Sequence, residues 1–93
     1  MDFNSKYYWI IERKCLYYSL SFYFRNIENL EYTYTYNYDD AKKYNTYEEA
    51  KKDEKNLIDY YINDKEYSFI IKRIKNEFYI FPQKINRFEL MDI

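Results

Sequence analysis

Tyrosine occupies every second position in one stretch of this chain, Glu31 to Tyr38, which reads EYTYTYNY. An alternation of two residues is the periodicity of a β-strand, because successive side chains of a strand point to opposite faces. Fifteen of the 93 residues are tyrosine, and glycine, histidine and valine are absent. Codons rich in A and T explain much of the tyrosine count, but they do not explain the alternation. We therefore interpret this stretch as a strand with a tyrosine face.

Two further strands precede this stretch. Lys6–Glu12 and Cys15–Phe24 are rich in aromatic and other β-favouring residues, and they predict a hairpin that turns at residues 13–14. Arg25–Leu30 has no regular period and is predicted to be a loop. Because the chain has no glycine, asparagine and aspartate must supply its left-handed turn positions.

A helix is predicted to begin at Thr46. Thr46 and Glu49 have the spacing of a capping box, in which the hydroxyl accepts from the Glu49 amide and the carboxylate reaches back to the Thr46 amide. Before it, Asp39–Tyr44 is predicted to form one helical turn with an acidic start. Asn63-Asp64 is expected to end the helix. The apolar residues that recur at helical spacing are Ala50, Leu57, Ile58 and Tyr61.

The last third of the chain predicts a second hairpin. Glu66–Ile74 and Glu77–Phe81 are its strands, and residues 75–76 form its turn. Pro82 should stop the second strand, because proline cannot donate to a strand ladder. The tail Gln83–Ile93 is either a short docked turn or a flexible arm.

The predicted order β-β-β-α-β-β defines a single α+β domain over residues 1–93, with one helix packed on an antiparallel sheet of four to five strands. One helix is about 10 Å wide and cannot cover such a sheet, whose strands lie about 4.8 Å apart. We expect the helix to pack on a face formed by Leu16, Tyr18, Leu20, Phe22 and Phe24. We expect the other face to hold Tyr17 and Tyr23, together with part of the first strand's set Tyr7, Trp9 and Ile11. That second face is where a partner or a second copy of the chain should bind.

The composition removes most catalytic chemistry. Without glycine there is no phosphate-cradling loop, and without histidine there is neither an ordinary zinc site nor a histidine-activated nucleophile. Cys15 is the single cysteine and is interpreted as structural. We therefore expect no enzyme activity, no cofactor and no metal. No apolar stretch is long enough to span a bilayer, and the first residues lack the order of a secretory signal, so we expect a cytoplasmic protein without membrane contact.

Two kinds of binding remain open. Aromatic side chains dominate protein–protein hot spots, and this reading assigns partner binding to Tyr7, Trp9, Tyr17, Tyr23, Tyr34 and Tyr36. Tyrosines also stack on unpaired bases of single-stranded RNA or DNA when basic side chains nearby hold the phosphates. The candidates for holding phosphates are Lys72, Arg73, Lys75, Lys84 and Arg87. Each set also has a structural explanation. The lysines protect a sheet edge, and the tyrosine run packs beneath the helix.

The layout resembles that of small proteins from phages and mobile elements of A/T-rich bacteria. The resemblance spans about Tyr7 to Ile74, and the matching residues are Asp39, Ala41, Tyr44, Thr46, Glu48, Glu49 and Ala50. Some proteins of that setting are similar in size and character to anti-CRISPR inhibitors, which occupy a host effector. The resemblance implies an inhibitor of host antiviral defence in the host cell cytoplasm, with a host protein or ribonucleoprotein complex as partner. A homodimer is a further expectation from the uncovered sheet face.

Overall fold

In the part of the chain that the structure describes, a four-stranded antiparallel sheet has the order β3-β2-β1-β4, and one helix packs on one of its faces. A computed structural model describes residues 6–17 and 19–76. The elements are β1 (Tyr7–Cys15), β2 (Ser21–Glu28), β3 (Glu31–Thr35), a 3₁₀ turn (Tyr38–Asp40), α1 (Tyr47–Tyr60) and β4 (Tyr67–Lys75). The prediction of an α+β domain with one helix on an antiparallel sheet is confirmed.

The central strand β1 has different neighbours along its two edges. It pairs with β4 over its whole length, from Tyr7 opposite Lys75 to Cys15 opposite Tyr67. It pairs with β2 only at residues 12–14. Near its start, Trp9 instead exchanges two backbone hydrogen bonds of 3.0 and 2.9 Å with Tyr44. The sheet is therefore forked, and the segment before the helix fills the fork.

The β2–β3 hairpin turns at Asn29 and Leu30, which both have positive φ (52° and 66°). Glu28 pairs with Glu31 across this two-residue turn. Such turns match the twist of the strands and require left-handed backbone at both central positions. Asn29 agrees with the prediction that asparagine or aspartate supplies the left-handed positions of this glycine-free chain, but Leu30 contradicts it at the second position.

The helix begins where the capping residues predicted. Thr46 is the N-cap, and its hydroxyl accepts a 3.1 Å hydrogen bond from the amide of Glu49. The second half of the capping box differs, because the Glu49 carboxylate accepts from the amide of Asn45 (3.2 Å) rather than that of Thr46. Asn37 similarly caps the 3₁₀ turn, so the predicted turn with an acidic start is present but ends at Asp40.

The core has one cluster on each face of the sheet. On the helix side, Ile11, Phe24, Tyr44, Ala50 and Leu57 are buried together. On the other side, the buried cluster consists of Tyr8, Ile10 and Ala41, with Tyr23 and Ile74 packed against it. Neighbouring residues of β1 thus contribute to opposite sides, as strand geometry requires.

The face predicted for the first strand is wrong. Trp9 and Ile11 were expected opposite the helix, but both lie under it, and the Trp9 ring contacts the Tyr47 ring edge-on at 5.4 Å. The cause is the register. Arg13 pairs with Phe22, so the odd-numbered residues of β1 share the face of Phe22 and Phe24. The placement of Phe22 and Phe24 beneath the helix and of Tyr23 on the other side is confirmed by the core clusters and this register.

The predicted element boundaries also need correction. β1 continues through residues 13–14, where a turn was expected, and β2 continues to Glu28, through most of the expected loop. Leu16 and Leu20 lie between these strands and are exposed rather than in the core. Ile58 is 43% exposed, and Glu54 takes a buried place on the helix instead. Lys75 still pairs within β4, so the expected turn at 75–76 is also wrong.

Several predictions fall outside the described residues. They concern Tyr18, the strand Glu77–Phe81, Pro82, the tail Gln83–Ile93, and the basic residues Lys84 and Arg87.

Candidate functional site

Arg13 lies among three aromatic rings on the helix side of the sheet. Its guanidinium carbon is 4.0 Å from the ring centre of Tyr34, 4.5 Å from that of Tyr67 and 5.1 Å from that of Phe22. The three rings come from β3, β4 and β2, so every strand of the sheet contributes to this cluster. Cation–π attraction favours such an arrangement. We call these four residues the Arg13 clamp.

The polar atoms of Arg13 are incompletely satisfied. Its Nε atom is buried and has no hydrogen-bond partner. The ion pairs within residues 6–17 and 19–76 join Lys42 to Asp53, Lys51 to Glu54 and Lys72 to Glu12, and none involves Arg13. Its cross-strand neighbours are Phe22 and Phe69, which carry no charge. In the described part of the chain the charge of Arg13 therefore has no carboxylate partner.

The end of the helix closes one side of the Arg13 clamp. Tyr61, the C-cap of α1, forms a 3.0 Å hydroxyl–hydroxyl hydrogen bond with Tyr34 and an edge-on contact of 5.3 Å with Tyr67. Burial raises the pKa of Tyr34 well above its usual value, and the hydrogen bond to Tyr61 raises it further, which outweighs the opposing influence of Arg13. Tyr34 therefore stays neutral, and it positions the rings rather than acting as a base.

Beyond the helix end, large apolar side chains stay exposed at one end of the sheet. Leu16, Tyr17 and Leu20 follow β1, and Tyr36 follows β3; they are 74%, 73%, 54% and 68% exposed, respectively. Tyr36 packs on Phe22 with ring centres 4.7 Å apart, which connects this group to the Arg13 clamp. We call Leu16, Tyr17, Leu20, Phe22 and Tyr36 the far-end surface.

The six tyrosine and tryptophan residues assigned to partner binding do not form one surface. Tyr17 and Tyr36 belong to the far-end surface, and Tyr34 lies beside it in the Arg13 clamp. Trp9 lies under the helix start, whereas Tyr23 is on the opposite face, where its ring contacts that of Tyr38 at 6.2 Å.

Tyr7 is at the other end of β1 from the far-end surface. Arg73 stacks on its ring at 4.3 Å, and the amine of Lys6 lies 5.7 Å from the ring centre. Tyr7 is half-buried there, and this end of the sheet contributes nothing to the far-end surface.

The basic residues assigned to nucleic-acid binding are also divided. Lys72 lies on the face opposite the helix, since it pairs in register with the buried Ile10. Arg73 and Lys75 pair with Trp9 and Tyr7 and belong to the helix side. The described members of this set thus fail to converge on one groove.

Lys72 is further occupied by a buried carboxylate. Glu12 is only 2% exposed, and its Oε1 atom lies 3.1 Å from the amine of Lys72. Burial by itself raises the pKa of Glu12, but hydrogen bonds from Ser21 and Lys72 and the charges of Lys72 and Lys14 lower it more, so the net pKa is below the usual value. Lys72 therefore neutralises an internal charge.

Sequence reasoning missed three important residues of this region, namely Arg13, Leu16 and Leu20. The sequence pattern predicts a turn at Arg13 and places the two leucines in the core. Residues 16–20 contain no glycine, proline, asparagine or aspartate, and Ser19 is their one weak turn signal. Only the pairing of Arg13 with Phe22, which the chain adopts in the folded sheet, identifies the clamp.

Comparison with protein-family models, with curated proteins and with solved structures finds no match to this chain. Within residues 6–17 and 19–76, no group of three or more histidine, cysteine, aspartate or glutamate side chains could hold a metal ion. In the same part of the chain, no helix has the length and apolar character needed to cross a membrane.

Proposed function

We propose that this chain is a small non-enzymatic protein-binding module and that the far-end surface is its binding site. The observation that carries the proposal is the exposure of four large apolar side chains at the same end of the sheet, each more than half accessible. Contiguous apolar patches on soluble proteins mark interaction sites, because leaving them in water is unfavourable. Burying one such side chain completely contributes about 1.5–3 kcal/mol.

Ring contacts and a hydrogen bond hold the base of the far-end surface, which favours tight binding. Phe22 is held between Arg13 and Tyr36, and Tyr34 is held by Tyr61. A partner that docks here does not need to order these rings, so less conformational entropy is lost on binding. Aromatic anchors with few rotatable bonds are typical of binding hot spots.

A narrower form of the proposal concerns the partner. The resemblance to small phage and mobile-element proteins suggests an effector of host antiviral defence, either a protein or a ribonucleoprotein complex, which this chain would inhibit by occupying it. Expression of the chain in a bacterium with an active CRISPR system should then restore plating of a targeted phage, and unchanged plating would refute this narrower form.

Affinity capture from a bacterial lysate tests the proposal and separates it from nucleic-acid binding. Protein interfaces with an apolar centre depend little on salt, whereas nucleic-acid affinity falls steeply with salt because counterions are released. We expect a stoichiometric protein to be retained after nuclease treatment and after washing at about 0.5 M salt, where the Debye length is only a few ångströms. Recovery of RNA or DNA that salt removes, or of a second copy of the chain alone, would contradict the proposal.

A further inference from the structure

We propose that Arg13 is the anchor for a carboxylate of the bound protein, so that the partner segment combines apolar side chains with an aspartate, a glutamate or a chain-terminal carboxylate. The inference rests on the proposed function of the far-end surface and specifies the chemistry of its partner.

The charge of Arg13 favours a carboxylate as its ligand. Arg13 is surrounded on the helix side by Phe22, Phe69, Tyr34 and Tyr67, and no carboxylate of the described chain pairs with it. A guanidinium that lies among apolar groups attracts a carboxylate strongly, because the surroundings screen the pair less than water does.

Geometry favours the same ligand. The guanidinium carbon lies 4.0–5.1 Å from the centres of three rings, whereas the N–H groups of a guanidinium donate at its edge, within its own plane. A hydrogen bond from Arg13 to the Tyr34 hydroxyl uses part of that edge, and the buried Nε atom has no partner. Arg13 is partly exposed, so a carboxylate that arrives with a partner can accept from that edge. An arginine held in this way is ordered before its ligand binds.

The charge of a nearby groove favours the same ligand. A groove of about 270 Å³ runs beside Leu16 and is lined by two lysines, Lys14 and Lys65, against one carboxylate, Glu66. Lys14 is on the face opposite Arg13, as neighbouring residues of a strand must be, but both lie at this end of the sheet. With Asp64 beside Lys65, this end has three cationic side chains against two carboxylates. An acidic partner segment would meet complementary charge there, which selects it over a basic or neutral one.

The test uses the folded chain and two small probes that differ only in charge, N-acetyl-leucine and N-acetyl-leucinamide. Because the Nε atom of Arg13 is buried, its N–H should exchange slowly with water and give a resolved ¹H–¹⁵N resonance. Contacts with the ring protons of Tyr34 and Tyr67 identify this resonance without any substitution. We expect the carboxylate probe to shift it saturably, with a dissociation constant on the order of 1–10 mM. The amide probe should leave it unmoved.

Equal shifts from both probes, or no shift from either, would overturn the inference. The variant Arg13→Lys keeps the charge but loses the planar fork, and if folded it should bind the carboxylate probe at least about tenfold more weakly. If that variant does not fold, the titration of the unaltered chain still decides. If the probes fail but binding of the captured protein still requires Leu16 and Leu20, only the carboxylate inference is refuted. If binding of the captured protein does not require these two leucines, the proposed function itself is refuted.

Discussion

Leu30 adopts a left-handed backbone conformation that suits glycine better than a residue with a side chain. Its φ is 66°, and its side chain is 94% exposed, so packing gains little from the leucine. The left-handed conformation costs a residue with a Cβ atom roughly 1–2 kcal/mol.

Replacing this residue, Leu30→Gly, should therefore raise the free energy of unfolding by about 0.5–1 kcal/mol, because asparagine–glycine is the preferred pair for such a turn. Urea denaturation measures the change. Leu30→Ala is the matched control, since it removes most of the exposed side chain but keeps the Cβ atom. Its free energy of unfolding should rise much less. A glycine variant less stable than the original chain would show that the turn geometry is different.

Two buried tyrosine hydroxyls make stability sensitive to alkaline pH. Burial is the larger cause, and hydrogen bonding the smaller, that raises the pKa of both Tyr34 and Tyr44 well above the usual value of about 10. The Tyr44 hydroxyl donates a 2.5 Å hydrogen bond to the Asp53 carboxylate. Above about pH 10 the folded state thus keeps these two hydroxyl protons, whereas the unfolded state releases them. Their contribution to stability is fully present below pH 10 and is lost as the pH rises further.

We expect the free energy of unfolding to fall above pH 10 by up to about 1.4 kcal/mol per pH unit for each of the two residues. Urea denaturation between pH 8 and about 11 measures this slope. The double variant Tyr34→Phe with Tyr44→Phe has no such protons and should show a shallower slope, although it starts from lower stability because two hydrogen bonds are gone. Identical slopes would contradict the assignment.

At the scale of elements, α1 depends on its first turn for a defined start. The Thr46 hydroxyl satisfies the Glu49 amide, one of the amides that a helix leaves without an internal partner. Thr46→Ala should lower the free energy of unfolding by about 1 kcal/mol, whereas Thr46→Ser keeps the acceptor and should change it by much less. Thermal or urea denaturation compares the two. Equal losses from alanine and serine would mean that the methyl group matters and the cap does not.

The sequence predicted those elements whose signals are local. The start of α1 follows from two residues three positions apart. β3 follows from its own alternation, but it ends at Thr35, whereas the alternation predicted a strand through Tyr38. The turn between β1 and β2 could not be predicted because its position depends on long-range pairing. Leu16 donates a 2.7 Å backbone hydrogen bond to Glu66, fifty positions away, and this bond holds the chain where β1 ends.

The candidate site was predictable only in part for the same reason. Tyr17 and Tyr36 could be proposed from the surplus of aromatic residues, since exposed tyrosine is typical of binding surfaces. Arg13 could not, because its role requires rings from three other strands to meet around it. Trp9, the most prominent candidate by residue type, proved to be part of the packing beneath the helix.

At the scale of the whole molecule, the two ends of the sheet differ in what they expose. At one end the helix start, Trp9 and Tyr44 fill the fork in the sheet. At the other end the helix stops at the Arg13 clamp, and the far-end surface extends beyond it. In the described residues, the fork at one end is therefore filled, although Ile27 and Leu30 stay exposed at the hairpin turn, and the far-end surface is open at the other end.

The most direct test of this account is the affinity of the captured protein for two matched variants, measured by calorimetry. Leu16→Ser with Leu20→Ser alters the far-end surface. Ile27→Ser with Leu30→Ser alters two exposed aliphatic residues in and beside the opposite hairpin turn. We expect the first variant to bind at least about tenfold more weakly, equivalent to 1.4 kcal/mol or more, and the second to bind like the original chain. Equal affinities for the two variants, or a larger loss from the second, would contradict the assignment of the binding site to the far-end surface.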